Sequence, residues 1–163
     1  MIILEDSREQ KPLVFKIGTR VSRETVKVGD YGVRLKDGVV PPIFFERKSL
    51  SDLFSSMTRN AVAHKKKLIR ANELEQTIIL ICEASLTEIK GTILYRGRKV
   101  TYRRINALSP IEKRKVVHGS TVIKAAMTFS CKYNSPFVLC NSRDEMSTYI
   151  LSYFEALSRA YKV

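Results

Sequence analysis

The hydrophobic positions of the chain fall first into strand-like segments. A short apolar run at residues 2–5 predicts an opening strand, and alternating apolar positions predict a second strand within residues 25–35. Residues 39–45 are the predicted returning strand, because Asp37 and Gly38 form the residue pair preferred in tight hairpin turns. The amino-terminal part of the chain is therefore predicted to be β-structure.

Helical spacing follows directly after these strands. Ser49 begins the first predicted helix, in which apolar residues recur at the spacing of one helical stripe. These residues are Leu50, Leu53, Phe54 and Met57. A second helix is predicted over residues 61–73, with Val62, Leu68 and Ala71 directed inward.

The second half of the chain alternates strands with helices. Residues 77–82 and 136–140 are continuous apolar runs, typical of buried parallel strands. Helices are predicted over residues 121–133 and 143–161. This alternation predicts an α/β fold in which a central mixed sheet is flanked by helices.

The chain is strongly basic. The 163 residues include 29 Lys and Arg against 16 Asp and Glu, a formal net charge of +13, which favours polyanionic partners. Residues 1–163 are predicted to form one domain with a basic insertion at about residues 88–118, which holds nine basic and two acidic residues. Interleaved with Tyr95 and Tyr102, these basic groups have the composition of a DNA-binding segment, and the alternative is a solvated, poorly ordered loop. The predicted DNA-binding residues are Arg96, Arg98, Lys99, Arg103, Arg104, Lys113, Arg114 and Lys115.

The apolar runs and cysteines restrict the protein class. No apolar run is long enough to span a bilayer, and the amino terminus turns acidic where a signal peptide needs an apolar core. We therefore expect no membrane partner and a cytosolic or nuclear protein. Three cysteines without metal-ligand spacing argue against a disulfide framework and a zinc site, and Cys82 and Cys140 are predicted core residues.

An acidic cluster with a lysine is the candidate chemistry. In a strand ending at Lys48, Glu46 and Lys48 point to one face and Arg47 to the other, while Asp30 comes just before the partner strand. Two carboxylates on adjacent strands repel each other unless a cation lies between them, and their oxygens suit Mg²⁺ or Mn²⁺. The pattern predicts a phosphodiester-cleaving site, although surface salt bridges have the same spacing.

Three segments, in this order, resemble the signature of the XPF-type structure-specific endonucleases. They read Glu5-Asp6-Ser7-Arg8-Glu9, Val28-Gly29-Asp30-Tyr31 and Phe45-Glu46-Arg47-Lys48-Ser49-Leu50-Ser51-Asp52. The family motif is written GDx(n)ERKxxxD, with D-x-R-E upstream. The resemblance covers nearly the whole chain outside the basic insertion. It implies a restriction-endonuclease-like, PD-(D/E)xK fold and Mg²⁺- or Mn²⁺-dependent cleavage of branched, flap or fork DNA.

The resemblance also assigns roles to the acidic cluster. It implies that Asp30 and Glu46 are metal ligands, with the backbone carbonyl of Arg47 as a further ligand. Lys48 is then the catalytic lysine and Asp6 an additional acidic group of the site. The Arg47 side chain is expected to support the site or to contact a phosphate.

Residues around this cluster have less settled roles. Arg8 and Glu9 are expected to position the additional acidic group or to touch DNA. Asp52 is three residues from a serine that begins the helix, so it either caps that helix or tunes the catalytic lysine. The family often has an Arg and a Gln in the following helix, where Arg59 and His64 are imperfectly spaced candidates. His64 is expected on the helix surface.

The last predicted helix carries a wide apolar and aromatic stripe. Packing against the sheet explains part of it, and tyrosines also suit interfaces that keep one end wet. The resemblance implies pairing through this region, so we expect a homodimer with two-fold symmetry. The predicted interface residues are Tyr149, Tyr153, Phe154 and Leu157.

Two other functions stay open from the sequence. The chain has neither the paired helix-hairpin-helix motifs nor the helicase of larger family members, so it resembles the compact stand-alone form found in phages and bacteria. This implies a cytoplasmic protein of a bacterial or phage-infected cell, or a nuclear protein if the source is a eukaryote. An inactive DNA-binding module, or a partner subunit of a nuclease complex, is the main alternative. A basic RNA-associated structural protein explains the charge and leaves the acidic cluster without a role. DNA repair, recombination and phage genome processing are all compatible pathways.

Overall fold

The computed structural model of the chain describes residues 1–161 as an alternation of strands and helices. The strands are β1 (Ile2–Asp6), β2 (Val21–Glu24), β3 (Tyr31–Arg34), β4 (Ile43–Ser49), β5 (Thr77–Glu83), β6 (Ile93–Tyr95), β7 (Arg98–Lys99), β8 (Val116–His118) and β9 (Phe137–Cys140). The helices are α1 (Leu50–Met57), α2 (Ala61–Glu73), α3 (Leu86–Gly91), α4 (Tyr102–Asn106), α5 (Pro110–Lys113), α6 (Gly119–Tyr133) and α7 (Arg143–Ala160).

A six-stranded mixed sheet forms the centre of the molecule, in the order β2-β1-β3-β4-β5-β9. Strands β4, β5 and β9 are mutually parallel, whereas β3 is antiparallel to both of its neighbours. The β4–β5 register runs unbroken from Ile43 opposite Thr77 to Ser49 opposite Glu83. The prediction of a buried parallel strand at residues 77–82 is confirmed, and the predicted mixed sheet with it.

Helix α7 covers one face of this sheet. Phe45 of β4 is fully buried there, with its ring 5.3 Å from that of Phe154 and in edge-to-face geometry. Ile81 and Ile150 belong to the same core cluster. Burial of these large side chains away from water stabilises the packing of α7 on the sheet.

Helices α1, α2 and α6 cover the opposite face. Phe44, Leu80 and Cys82 point towards them, which confirms that Cys82 is a core residue. Because side chains alternate along a strand, Glu46 shares this face with Phe44. The polar end of β4 is therefore directed towards the helices that follow it in sequence.

The predicted opening strand is confirmed as β1, but the two strands that follow it in the prediction differ from the structure: the returning strand is β4, which begins at residue 43 and not at 39. The chain does reverse at the Asp-Gly pair, where the Leu35 N–H donates to the Val39 carbonyl (2.8 Å). However, the second strand begins only at Tyr31, because the residues before it form a loop that buries Val26 and Val28 without pairing as a strand. Strand β2, which precedes that loop, had no counterpart among the predicted elements.

Helix α2 has the predicted bounds but a different inward stripe. Val62 is 68% exposed, so its predicted inward position is wrong. His64 is buried, against the expectation of a surface residue, and lies at helical spacing with the buried Leu68 and Ala71. The stripe that faces the sheet therefore begins two residues later than predicted.

The basic insertion is folded rather than a loose loop. Strands β6 and β7 form a hairpin whose turn residues Arg96 and Gly97 have positive φ values of 50° and 78°. β8 completes a small sheet in the order β7-β6-β8. A β-carbon at Gly119 would lie 1.6 Å from the Ile89 carbonyl oxygen, so only glycine permits this contact between α3 and α6.

No helix in residues 1–161 combines the length and apolar character needed to cross a membrane.

Candidate active site

The Gly29-Asp30 turn is fixed against the backbone of β4. Gly29 has a φ of +74°, and a β-carbon there would lie 2.8 Å from the Phe45 carbonyl oxygen. The Asp30 N–H donates to the same carbonyl (2.7 Å), and the Arg47 N–H donates to Asp30 Oδ2 (2.7 Å). The glycine thus allows the close approach that holds the Asp30 carboxylate at the centre of β4.

Glu46 lies beside this carboxylate with each of its oxygens paired to a different lysine. Lys48, two residues along β4, donates from Nζ to Glu46 Oε1 (2.6 Å). Lys67 of α2 donates to Oε2. The predicted common face of Glu46 and Lys48 is confirmed, and the structure adds Lys67 to it.

The two carboxylates influence each other electrostatically. Burial, and secondly the negative charge of Glu46, raise the pKa of Asp30 to about 7. Burial would also raise the pKa of Glu46, but the charges and hydrogen bonds of Lys48 and Lys67 outweigh it and lower that pKa. A metal cation bound beside Asp30 would offset both the burial of its carboxylate and the repulsion from Glu46.

The donor set suits a hard divalent cation. No three His, Cys, Asp or Glu side chains within residues 1–161 are placed to hold a metal ion together. Asp30 and Glu46 are two carboxylates, and Mg²⁺ in proteins is commonly held by one or two carboxylates with water completing its shell. The residues present therefore fit Mg²⁺ or Mn²⁺, and the Arg47 carbonyl as a further ligand stays a prediction.

The Arg47 side chain lies on the opposite face of β4. Its guanidinium is 3.3 Å from Glu9 Oε1 and 3.8 Å from Glu83 Oε2, and the side chain is only 10% exposed. Of the two expected roles, this geometry favours support of the site and disfavours a phosphate contact. Glu9 accordingly holds Arg47 with its carboxylate, while its backbone N–H donates to the Asp6 carbonyl (2.9 Å).

Asp6 is connected to the site through its backbone. Its N–H donates to the Asp30 carbonyl (2.8 Å), while its carboxylate accepts from Arg8 Nη2 (2.7 Å). Burial acts to raise the pKa of Asp6, but the hydrogen bonds from Arg8 lower it. Arg8 also donates to the Val26 carbonyl (2.9 Å), so it fastens the loop that leads to Asp30. Asp6 is thus placed to position Asp30.

The contacts of Asp52 and Arg59 and the burial of His64 bear on their predicted roles. The Asp52 N–H donates to Ser49 Oγ (3.2 Å) and the Ser49 hydroxyl to the Asp52 carboxylate (2.6 Å), which favours the helix-capping role of Asp52. Arg59 donates to Ser55 Oγ on the exposed side of α1. Burial, and secondly the charge of Lys48, lower the pKa of His64 to about 4.

A cleft of about 1180 Å³ opens above these groups. Lys66, Lys67 and Arg70 of α2 form one wall, and Arg8 and Lys11 also line the cleft. Its other lining residues are Asp6, Glu9, Gln10, Lys27, Val28, Gly29, Asp30, Glu46, Arg47, Lys48, Ser49, Asp52, Glu83 and Arg143. The cleft thus joins an acidic floor to basic walls.

Sequence reasoning missed the α2 wall of this cleft. One signal for it was present, because Lys67 lies four residues before Ala71, at helical spacing with the predicted inward stripe of α2. A lysine on a buried stripe needs a carboxylate partner, and that partner is Glu46.

The predicted DNA-binding residues lie on the insertion. All eight are exposed: Arg96, Arg98, Lys99, Arg103, Arg104, Lys113, Arg114 and Lys115. A neighbouring depression of about 410 Å³ is lined by Gly97 and Lys99 of the hairpin, and it shares Ser49 and Glu83 with the main cleft. Tyr95, one of the two tyrosines interleaved with these cations, is buried and donates to Glu112 Oε1 (2.9 Å), so its ring is not free to stack on a base.

The predicted dimer surface on α7 is only partly exposed. Phe154 is fully buried against Phe45, so its expected place in an interface is wrong. Tyr149 is 40% exposed, and Tyr153 and Leu157 are half-buried. Core packing thus takes up one side of the aromatic stripe.

Comparisons with known proteins agree with this geometry. The ERCC4 domain matches residues 5–153 of the chain. The structure of XPF from Aeropyrum pernix superimposes with a TM-score of 0.59 at 18% sequence identity, covering 98% of this chain and 66% of that one. The complex of that protein with DNA gives a TM-score of 0.58 at 20% identity, covering 98% and 64%. The chain therefore spans about two thirds of the length of these structures, and the shared fold is restriction-endonuclease-like. No curated protein matches the sequence.

Proposed function

The chain belongs to the ERCC4 domain family, and from this premise we propose that it is a metal-dependent endonuclease that cleaves branched, flap or fork DNA. One observation supports this most directly: Asp30, Glu46 and Lys48 converge on the floor of a cleft with basic walls. A cation held by two carboxylates can act together with a neighbouring lysine on a phosphodiester. An ion pair with a purely structural role would need no open cleft above it.

Each site residue has a separate role in the proposed hydrolysis. Asp30 and Glu46 would hold Mg²⁺ or Mn²⁺, which as a Lewis acid stabilises the charge that develops on the phosphate. Lys48 Nζ orients the attacking water or a phosphate oxygen by hydrogen bonding. The attacking water gives up a proton to the surrounding water as its oxygen bonds to phosphorus, the bond from phosphorus to the departing sugar oxygen breaks, and that oxygen takes up a proton from water. The backbone N–H groups of Arg47 and Asp6 keep Asp30 in place, and Glu9 holds the Arg47 side chain.

The basic surfaces favour DNA as the substrate. Lys66 and Arg70 border the cleft, and the hairpin with Lys99 borders the adjoining depression, so a phosphate backbone could follow both. A solved relative of the same fold is a complex with DNA. We therefore propose that the insertion extends the DNA-binding surface from the cleft.

A cleavage assay tests the proposal. Fluorescent flaps, forks, nicked duplexes and junctions are incubated with the protein and Mg²⁺ or Mn²⁺, alongside Lys48→Ala and Asp30→Asn. Cleavage by the wild type and its loss in both variants, with DNA binding retained, is the expected result. Binding without cleavage of any substrate would instead support the DNA-binding module.

We also propose that residues 1–163 form one nuclease domain and that two copies pair through the exposed side of α7. Tyr149, Tyr153 and Leu157 supply the aromatic and apolar surface for this contact. Sedimentation at micromolar concentration should give a dimer, and a single species of 18.6 kDa would contradict it.

A further inference from the structure

The state of Glu46 bears on how a cation enters the proposed active site. Both of its carboxylate oxygens are occupied, Oε1 by Lys48 and Oε2 by Lys67. Glu46 is only 5% exposed, so these two lysines take the place that water has around an exposed carboxylate. A cation bound by Glu46 would share one of these oxygens with an ammonium group, and repulsion between the two positive charges favours movement of that ammonium.

Charge leads to the same conclusion. Asp30 and Glu46, when ionised, balance the charges of Lys48 and Lys67. Adding a divalent cation without moving a lysine would place two net positive charges in a poorly solvated site, where repulsion is only weakly screened. Moving one ammonium into the open cleft removes half of that excess.

The exposure of the two lysines indicates which of them moves. The Lys48 side chain is 16% exposed and extends from the same strand as Glu46. The Lys67 side chain is 36% exposed and comes from α2, next to the exposed Lys66. Lys67 can turn from Glu46 towards the cleft by changing its side-chain rotamer, with no movement of the sheet.

We propose that Lys67 is a displaceable counter-ion of the active site, an inference that rests on the proposed metal-dependent function. It neutralises Glu46 while no metal is bound and yields Oε2 when the cation arrives. Its ammonium then lies on the cleft wall, where it contacts a phosphate of the bound DNA. Metal loading and DNA binding are thereby coupled through one side chain.

Mn²⁺ binding in the absence of DNA tests the displacement directly. Free Mn²⁺ is measured by electron paramagnetic resonance during titration of the wild type, Lys67→Met and the control Lys66→Met. The control removes the same charge from the same wall without touching Glu46. Removing the competing ammonium should tighten Mn²⁺ binding by roughly two- to five-fold in Lys67→Met compared with Lys66→Met. Equal affinities in the two variants would overturn the proposal.

Two further variants separate competition from a merely structural role. Lys67→Arg restores a cation at Oε2 and should return Mn²⁺ affinity towards the wild-type value, whereas Lys67→Gln should behave as Lys67→Met does. Without metal, Lys67→Met should melt at a lower temperature than the wild type, and saturating Mn²⁺ should raise its melting temperature by more. A smaller Mn²⁺-induced rise than in the wild type would contradict the displacement.

The outcomes distinguish this inference from the endonuclease proposal. If the wild type cuts DNA while Lys67→Met and Lys66→Met bind Mn²⁺ equally, the endonuclease proposal stands and the role of Lys67 is wrong. If Lys67→Met binds Mn²⁺ more tightly but the wild type cuts none of the substrates, the counter-ion role stands and the endonuclease proposal fails.

Discussion

The acidic site and the basic insertion use charge in opposite ways. At the site, Asp30 and Glu46 are held by backbone and side-chain hydrogen bonds, and burial alters their pKa values. On the insertion, Arg98 and Lys99 are exposed residues of a two-residue strand. The first arrangement fixes a geometry that chemistry can use, whereas the second supplies attraction that depends little on geometry. Their functions should therefore be separable by substitution.

The largest separation is expected in catalysis. Lys48→Ala removes the ammonium that lies 2.6 Å from Glu46 and should slow cleavage by roughly 100- to 1000-fold, because a fixed hydrogen-bond donor is removed. DNA affinity, measured with Ca²⁺ in place of Mg²⁺, should change little. A quenched-flow cleavage assay gives the rate, and a variant that retains wild-type turnover would remove Lys48 from the mechanism.

A matched pair of glycines extends the comparison to folding. Gly29 and Gly97 both have positive φ, of 74° and 78°, but only Gly29 is crowded by the Phe45 carbonyl. Gly97→Ala should lower the free energy of unfolding by about 1 to 2 kcal/mol, the cost of a left-handed alanine. Gly29→Ala should lower it by about 1 to 3 kcal/mol more, because the backbone of β4 must shift. Urea unfolding measures both, and equal decreases would show that the Gly29 contact is not tight.

The same contrast explains what the sequence could predict. Local periodicity identified the shared face of Glu46 and Lys48, since alternation along a strand needs no knowledge of the rest of the fold. It failed for Val26 and Val28, which alternate as in a strand but are buried in a loop. The tight approach of Gly29 to β4 is a tertiary constraint that a residue pattern does not contain.

Long-range packing accounts for the other omissions at the site. The ion pair between Lys67 and Glu46 joins residues 21 positions apart, and it depends on how α2 packs on the sheet. The aromatic stripe on α7 has the same ambiguity, since sequence spacing did not distinguish buried Phe154 from half-exposed Tyr149. Which side of a helix meets the core is decided by its neighbours.

Metal binding at the proposed active site should depend on pH, because Asp30 can bind a proton in place of the metal. Because the pKa of Asp30 is raised from 3.8 to about 7, Mn²⁺ must displace a proton below pH 7, and its affinity should fall by up to about tenfold per pH unit there. Calorimetric titration at pH 6 and pH 8 measures this fall. An affinity that is the same at both pH values would mean that Asp30 is already ionised at pH 6.

The raised pKa also affects the stability of the metal-free protein. Protonated Asp30 favours the folded state, and this contribution is lost as the pH rises towards and through about 7. Asp30→Asn, which keeps an oxygen for the Arg47 N–H, should therefore melt at a higher temperature than the wild type at pH 8, with a smaller difference at pH 5. A lower melting temperature at pH 8 would contradict the unfavourable burial of this charge.

The smallest effect is expected on the insertion, where each cation acts almost independently. Arg98→Gln with Lys99→Gln should weaken DNA binding a few-fold and reduce the salt dependence of log K by about 0.9 for each phosphate that the variant no longer neutralises. The control Arg20→Gln with Lys36→Gln removes two exposed charges that line a depression beside Met1, at the end of β1 away from the cleft. Fluorescence anisotropy at several salt concentrations compares the two variants. Equal slopes would mean that the insertion attracts DNA only through net charge, whereas a flatter slope for the hairpin variant places phosphates against its surface.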